Sequence, residues 1–200
     1  MMIVFLTMLS EGVKADAGML DKLITDSASG NTNAFEQLYN SMRTSVYSYA
    51  MSVLKHPQDA EDVLHDCFVK VYLNAHSYVS QGKPMAWVLT IAKNLCFEKI
   101  RERSRTVNLT DEEWENSFEE NEHVGRAEIL TIRSLVELLG DEERTIVILH
   151  AVSRLKHREI AEFMNLPLST VLSKYHRAVK KLRHAYLQDE QIEERISRSV

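Results

Sequence analysis

Glycine and proline are scarce: the 200 residues include Gly 6 and Pro 3, which excludes a turn-rich β architecture and fits helices joined by short loops. Cysteine is nearly absent as well. Cys67 and Cys96 stand far apart inside apolar patterns, with no C-x-x-C and no Cys/His spacing suited to zinc. That excludes a disulfide or metal framework and leaves two buried thiols in a reducing cytosol. The opening MMIVFLTMLS is apolar but too short to span a bilayer, and it lacks a basic flank. It reads as a truncated signal, a packed segment or an over-extended start, with Met8 and Met19 as alternative starts. No other apolar run has membrane length, so no membrane insertion is expected and the chain is placed in the cytoplasm. Also lacking are a nucleophile elbow, a P-loop and an HExxH motif, so no catalytic residue, metal ligand or cofactor is assigned. The net charge of -5 gives no overall basic excess.

What is present is a segregation of charge that the total conceals. Residues 83–105 carry Lys83, Lys93, Lys99, Arg101, Arg103 and Arg105 against Glu98 and Glu102. Residues 106–128 reverse the sign, with Asp111, Glu112, Glu113, Glu115, Glu119, Glu120, Glu122 and Glu128 against Arg126. From 154 to 184 the sign reverses again. Two basic blocks flank an acidic connector, a pattern suited to polyanion binding at two places.

The periodicity predicts an all-α protein of two small helical domains joined by an acidic linker: 18–105, a linker at 106–126, a second domain at 127–187 and a tail at 188–200. In the first domain Gly30 suits the end of a helix, and Asn33 with Glu36 reads as a capping box opening the next. That helix turns Phe35, Leu38, Tyr39, Met42 and Val46 inward. Pro57 opens another, where Ala60, Val63, Leu64, Cys67, Phe68 and Val71 recur on one face and Asp59, Asp62 and Asp66 on the other. After a loop at 77–83, Pro84 opens a helix with Val88, Ile91, Ala92 and Leu95 on its buried stripe. In the second domain Ile129, Ile132, Leu135, Val136 and Leu139 give one helix, which Gly140 ends. Asp141 is read as the cap of the next, through Val152.

Residues 155–187 then read as a helix-turn-helix. The small Ala161 permits close approach of the second helix, Asn165 suits a positive φ in the turn, and Val171 faces back to the first helix. Val171, Tyr175, Ala178 and Leu182 point inward, while Ser169, Ser173, His176, Arg177, Lys180 and His184 point outward. Residues 168–187 contain no acid. A helix presenting Ser, His, Arg and Lys can enter the major groove, with Arg177 reaching a guanine edge or a phosphate and Lys180 and Lys181 anchoring phosphates.

The run LGDEERTIVILHAVSRLKHREIAEFMNLPLSTVLSKYHRAVKKLR resembles the C-terminal domain of extracytoplasmic-function sigma factors, of the sigma-70 family. AFEQLYNSMRTSVYSYAMSVLKHPQDAEDVLHDCFVKVYLNAHSY and AWVLTIAKNLCFEKIRER are similar to their N-terminal domain. The resemblance runs in order from about residue 33 to 187. It implies a sigma-2-like domain and a sigma-4-like helix-turn-helix domain, core RNA polymerase and promoter DNA as partners, and promoter-specific initiation of transcription. It places Asp59, Glu61, Asp62, Asp66 and Phe68 on the surface that binds the clamp of the polymerase largest subunit. It places the 77–83 loop and the following helix at single-stranded minus-ten DNA, with Tyr78, Lys83, Lys93, Asn94, Arg101 and Arg103 as contacts. Trp87 is a further stacking group that also fits the core. At duplex minus-thirty-five DNA the resemblance places Ser169, Thr170, Leu172, Ser173, Lys174, His176, Arg177, Lys180 and Lys181. An anti-sigma protein is a partner that many relatives have.

Four departures stand out. Arg154 and Lys156 replace a usual Gly and Ser, removing a cap worth ~1 kcal/mol. His65 stands where the family commonly has Gln. Leu172 takes a position often held by Lys or Arg, suggesting contact with a thymine methyl in place of a bidentate base contact. Two other readings compete. One is a helix-turn-helix regulator with an N-terminal sensory domain. The other is a di-iron enzyme, for which Asp62-x-x-His65 would supply only half a site.

Overall fold

The structure is a computed structural model that describes residues 16–105 and 138–197, with side chains described for 16–104 and 138–185. The described residues form seven α-helices and one 3-10 turn: α1 (Ala17–Ala28), α2 (Thr32–Leu54), α3 (Pro57–Asn74), the turn Ala75–Ser77, α4 (Pro84–Arg105), α5 (Asp141–Ala151), α6 (His157–Met164) and α7 (Leu168–Ser197). Among them no helix is long and apolar enough to cross a membrane.

Local chemistry sets most boundaries. Gly30 takes φ +84 just beyond α1 and its N–H reaches the Ser27 carbonyl at 3.0 Å, as a left-handed C-terminal residue does. The cap of α2 is Asn31, whose side chain accepts from the Ala34 N–H at 3.1 Å. The expected capping box at Asn33 therefore lies two residues too late, and Asn33 instead accepts from the Gln37 side chain one helical turn on. Pro57 opens α3 as expected, behind a His56 ring that accepts from the Asp59 N–H at 3.3 Å.

In the first half α2 packs against α1, α3 and α4. Leu38, Met42, Val46, Ala50, Val63, Cys67, Val71, Val88, Leu89 and Ala92 are all fully buried there. These are largely the residues the period-3.6 stripes select. Cys67 and Cys96 are free and buried, and burial pushes both thiols up to about 12.

In the second half Gly140 precedes α5 as its N-terminal boundary residue. Asp141 is the first helical residue rather than the cap: its carboxylate is taken by Lys55 at 2.8 Å and by Arg144 at 2.7 Å. The helix-turn-helix is formed as read. Asn165 has φ 54, and the Leu166 N–H bonds the Ala161 carbonyl at 3.0 Å. Ile160, Val171 and Ala178 are fully buried. Lys156 has no side-chain cap to offer; Glu159 accepts from the Lys156 N–H at 2.7 Å and supplies half of a capping box. The helix expected at 129–139, apart from its last two residues, lies outside the described residues, as do the acidic connector and the N-terminal segment. The backbone of α7 runs on through most of the 188–200 tail.

The two halves are packed on each other. α2 lies against α5, and α4 touches α6. The main apolar cluster continues from Leu38 and Val46 of α2 to Ile146, Leu149, Ile160 and Val171 of α5, α6 and α7.

Candidate nucleic-acid and polymerase interfaces

The α3 helix carries more apolar residues than its core stripe uses. Phe68 is buried, with 3% of its surface exposed, yet Val69, Tyr72 and Leu73 remain 44%, 47% and 61% exposed. With Phe35 and Tyr39 of α2 they line a groove bordered by Glu61, His65 and Asp66. Its floor is an aromatic cluster: Tyr39 meets Phe68 edge-on at 4.8 Å, and Phe35 meets Tyr72 at 5.2 Å. An apolar strip of this kind with an acidic rim suits a basic, amphipathic helix.

The acidic stripe read from the sequence divides in the structure. Asp59 and Asp62 turn toward α4, where Arg103 and Lys99 meet them at 2.5 and 2.7 Å. The Asp62 hydrogen bond raises the Lys99 pKa. Asp66 remains exposed and Glu61 half-exposed along the groove. Phe68 lies beneath the surface and shapes the groove floor. Val69, Tyr72, Leu73, Phe35 and Tyr39 were not singled out as docking residues. The signal was available in residues apolar in type and outside a stripe that 60, 63, 64, 67, 68 and 71 already complete.

The α4 candidates divide in the same way. At 100° per residue, Asn94, Phe97 and Arg101 share one face with Lys93 at its edge, whereas Arg103 lies on the side toward α3. Asn94 and Arg101 are exposed, and Phe97, 45% exposed, stands between them as an aromatic group the sequence reading passed over. Lys83 and Lys93 are both engaged by α6: the Lys83 Nζ pairs with Glu162 at 2.9 Å and the Lys93 Nζ donates to the Phe163 carbonyl at 2.7 Å. Lys93 also lies 4.9 Å from the centre of the Phe163 ring. The Tyr78 hydroxyl donates to Asp21 of α1, its ring leans on Trp87 at 4.7 Å, and Ser80 donates to the other Asp21 oxygen at 2.7 Å. Burial, and then the Asp21 carboxylate, hold the Tyr78 hydroxyl protonated. Asp21 thus ties down the 78–83 loop from a helix outside the basic block.

On α7, Ser169, Ser173, His176, Arg177 and Lys180 are exposed on one face, with Thr170 and Leu172 half-buried beside them. Lys174 and Lys181 turn back to the acidic first turn of α5, pairing with Glu142 at 2.8 Å and Glu143 at 2.6 Å. Glu143 is held below the usual carboxylate range chiefly by the Lys181 hydrogen bond. Arg177 is the loosest of these pairs, its Nε 3.9 Å from Glu143 and its side chain 62% exposed. The outward-facing cations are therefore Arg177 and Lys180, beside His176, and Lys174 and Lys181 brace the helix against α5.

Behind that face lies an aromatic cluster. His150 and His157 stack at 4.2 Å, with Tyr175 edge-on to both. The His150 Nδ1 is 2.9 Å from the Leu155 carbonyl, which fixes the ring.

Two family matches cover the two halves separately: Sigma-70 region 2 over residues 38–106 and Sigma-70, region 4 over residues 129–182. The chain is similar to the ECF RNA polymerase sigma factor SigW of Bacillus subtilis, 26% identical over 178 residues that cover 82% of this chain and 95% of SigW. It is likewise similar to SigM of the same organism, 26% identical over 156 residues, covering 76% of this chain and 94% of SigM. Its fold matches the sigma factor RpoE of Bartonella quintana, solved with the anti-sigma factor NepR, with a TM-score of 0.57 and 20% identity over 75% of this chain and 94% of RpoE. With both halves matched in order, and with the helix-turn-helix and the grooved α2–α3 pair in place, the chain belongs to the extracytoplasmic-function sigma factors of the sigma-70 family.

Proposed function

We propose that this sigma factor docks on core RNA polymerase through the α2–α3 groove and reads a bipartite promoter with α4 and α7. The observation that carries the reading is the exposed α7 face of Ser169, Ser173, His176, Arg177 and Lys180, in a stretch, 168–187, without a single carboxylate. Such a face meets phosphates and base edges of duplex minus-thirty-five DNA, with Arg177 as its specific contact and Lys180 as a phosphate anchor. Asn94, Phe97 and Arg101 supply the polar, stacking and cationic groups that unpaired minus-ten bases require. Glu61, His65 and Asp66 beside Val69, Tyr72 and Leu73 meet the polymerase clamp.

On this reading 18–105 is the polymerase and minus-ten domain, 106–126 the connector, and 127–187 the minus-thirty-five domain. The protein works in the cytoplasm as an initiation factor, and the chemistry of transcription belongs to the polymerase. RpoE was solved bound to an anti-sigma factor, and an anti-sigma protein is the regulatory partner expected here. The test mixes the purified protein with sigma-free bacterial core polymerase and sequences transcript starts from a genomic fragment library. Starts that depend on the added protein and share a bipartite upstream motif are expected. Binding to duplex DNA without polymerase binding or new starts would favour a helix-turn-helix regulator instead.

A further inference from the structure

Asp21 of α1 sets a carboxylate beside the 77–83 loop, which the sigma-factor reading puts against single-stranded minus-ten DNA. A bare carboxylate there would repel phosphates. Both oxygens of Asp21 are instead spent within the chain: Oδ1 accepts from the Tyr78 hydroxyl, and Oδ2 accepts from the Ser80 hydroxyl at 2.7 Å. Hydrogen bonds to an ionised acceptor are stronger than neutral ones, so the charge is turned inward to grip the loop. The helix that carries it is a firm support. Leu20, Leu23 and Ile24, on either side of Asp21 in sequence, are buried, and α1 packs on α2, on the 75–77 turn and on α4.

The grip falls on alternate residues. Tyr78 is extended, at φ -68 and ψ 126, and in extended chain residues i and i+2 point to one side while i+1 points to the other. With Tyr78 and Ser80 both turned to Asp21, Val79 is turned away, and 75% of its surface is exposed. The loop is pinned from two further directions. The Tyr78 ring leans on Trp87 of α4 at 4.7 Å, and the Gly82 N–H donates to the Ser80 hydroxyl oxygen at 3.4 Å, with Gly82 at φ +69. Valine is branched at Cβ and restricted at χ1, so fixing the backbone on both sides also aims the side chain. An apolar group held out into water by polar bonds to both neighbours gains nothing in the free chain. Packed on the face of an unpaired base, it is taken out of water.

We propose that Asp21 is a positioning residue for minus-ten reading: by holding Tyr78 and Ser80 to α1 it presents Val79 to an unpaired base, so that Val79 touches the strand and Asp21 acts through it. The proposal rests on the sigma-factor reading and deepens it, adding one contact and its support to Asn94, Phe97 and Arg101 of α4.

The test compares holoenzymes made with the wild-type protein, Asp21→Ala, Val79→Ala and the double variant. Each transcribes the promoter found by start mapping, with every minus-ten position changed in turn to the other three bases. Val79→Ala should reduce discrimination at one position at least ~5-fold, the lower end for one recognised base, and leave the other positions unchanged. Asp21→Ala should flatten the same position. The double variant should do no more than Val79→Ala alone, because one residue acts through the other. Tyr78→Phe with Ser80→Ala, which removes both donors and leaves Asp21 in place, should reproduce the Asp21→Ala profile. A role confined to stability would lower activity on every template alike and leave the profile as it is. That result, or additive losses at different positions, overturns the proposal.

The sigma-factor reading fails separately. No protein-dependent start with the wild type overturns that reading and the proposal with it, whereas wild-type starts with an unmoved profile overturn the proposal alone. The support itself is measured in the free full-length chain, from backbone order parameters. The Val79 amide should be rigid in the wild type, near ~0.85, and fall below ~0.6 in Asp21→Ala, while Leu38 and Val63 in the core keep their values. A flexible Val79 in the wild type, or one as rigid in Asp21→Ala as in the wild type, overturns the positioning role.

Discussion

The two halves of the chain are stabilised differently. The first surrounds α2 with three helices, and its fully buried residues come from α1, α2, α3 and α4 together. The second has a small cluster of its own, Leu139, Val147, Ile148, Ala178 and Leu182. Its other buried residues, Ile146, Leu149, Leu155, Ile160 and Val171, belong to the cluster that continues into the first half. A small helical unit buries little surface by itself. The helix-turn-helix half therefore depends on a neighbour for part of its order, and the first half does not.

The largest expected effect comes from the joint between them. Arg144→Leu removes the donors to the Ser52 and Leu139 carbonyls at 3.0 and 3.2 Å, at a cost of about 2–3 kcal/mol for a buried charged hydrogen-bonding group. Native-state hydrogen exchange should show amide protection in α5 and α6 falling ~30–150-fold while α3 changes little. Equal losses in both halves would mean one cooperative unit and end the comparison.

The next effect separates binding from stability in the self-sufficient half. Val69→Asp with Leu73→Asp places charge on two exposed apolar positions of the groove. Affinity for core polymerase, measured by fluorescence anisotropy, should fall at least ~10-fold, the range of a disrupted apolar anchor. Thermal unfolding should stay within about ±0.5 kcal/mol of wild type, as for surface changes elsewhere. Unchanged polymerase affinity would remove the groove from the docking surface.

Much of this architecture was legible from periodicity, because α2, α3, α4 and the helix-turn-helix each bury a regular stripe. Where the reading failed, the deciding partner was distant or the choice fell between neighbouring residues. Asn31 and Asn33 are equal as caps by type, and the actual cap is settled by which one reaches the Ala34 N–H. Arg144 sits in a run, DEERTIVILH, where an arginine reads as exposed; its carbonyl partner Ser52 is 92 residues away. Lys181, read as a phosphate anchor, and Lys174, placed at duplex DNA by the resemblance, look free until Glu143 and Glu142 are brought beside them. The α4 cations divide between α3, α6 and solvent for the same reason. Periodicity reports which face is buried, and charge patterning cannot report which charges meet.

A smaller effect lies in the turn before α6. Arg154 takes φ 57, a left-handed conformation that costs a non-glycine residue about 1 kcal/mol or somewhat more. Arg154→Gly removes that steric cost, and although glycine gives back part of the gain as entropy in the unfolded chain, a rise of roughly 2 °C in the melting temperature is expected. The gain should be confined to the dependent half, visible as added protection in α6. A fall in stability would show that the contacts made by the Arg154 side chain outweigh its backbone strain.

The smallest effect is a pH slope carried by His157. Burial, then the neighbouring His150 and His176, lower its pKa from the ordinary 6.5. The rings packed against it are His150 from α5 and Tyr175 from α7, with His176 beside Tyr175, and both histidines disfavour a proton on the His157 ring. The unfolded chain takes up that proton near 6.5 and the folded one only at lower pH, so between those values the unfolded state holds more protons. The contribution is complete above 6.5 and is lost as pH falls through that value toward the lowered folded pKa. Asp141 and Glu143, both shifted down from 3.8 and 4.5 by their cation partners, act in a separate, more acidic window. Melting temperatures between pH 8 and 5 should therefore decline for the wild type and decline less for His157→Phe, which keeps an aromatic ring against His150 and Tyr175 without the titration. Because the cluster lies wholly in α5, α6 and α7, the decline should appear first as lost exchange protection in those helices. An equal decline in α2 and α3 would place the pH dependence outside the helix-turn-helix half.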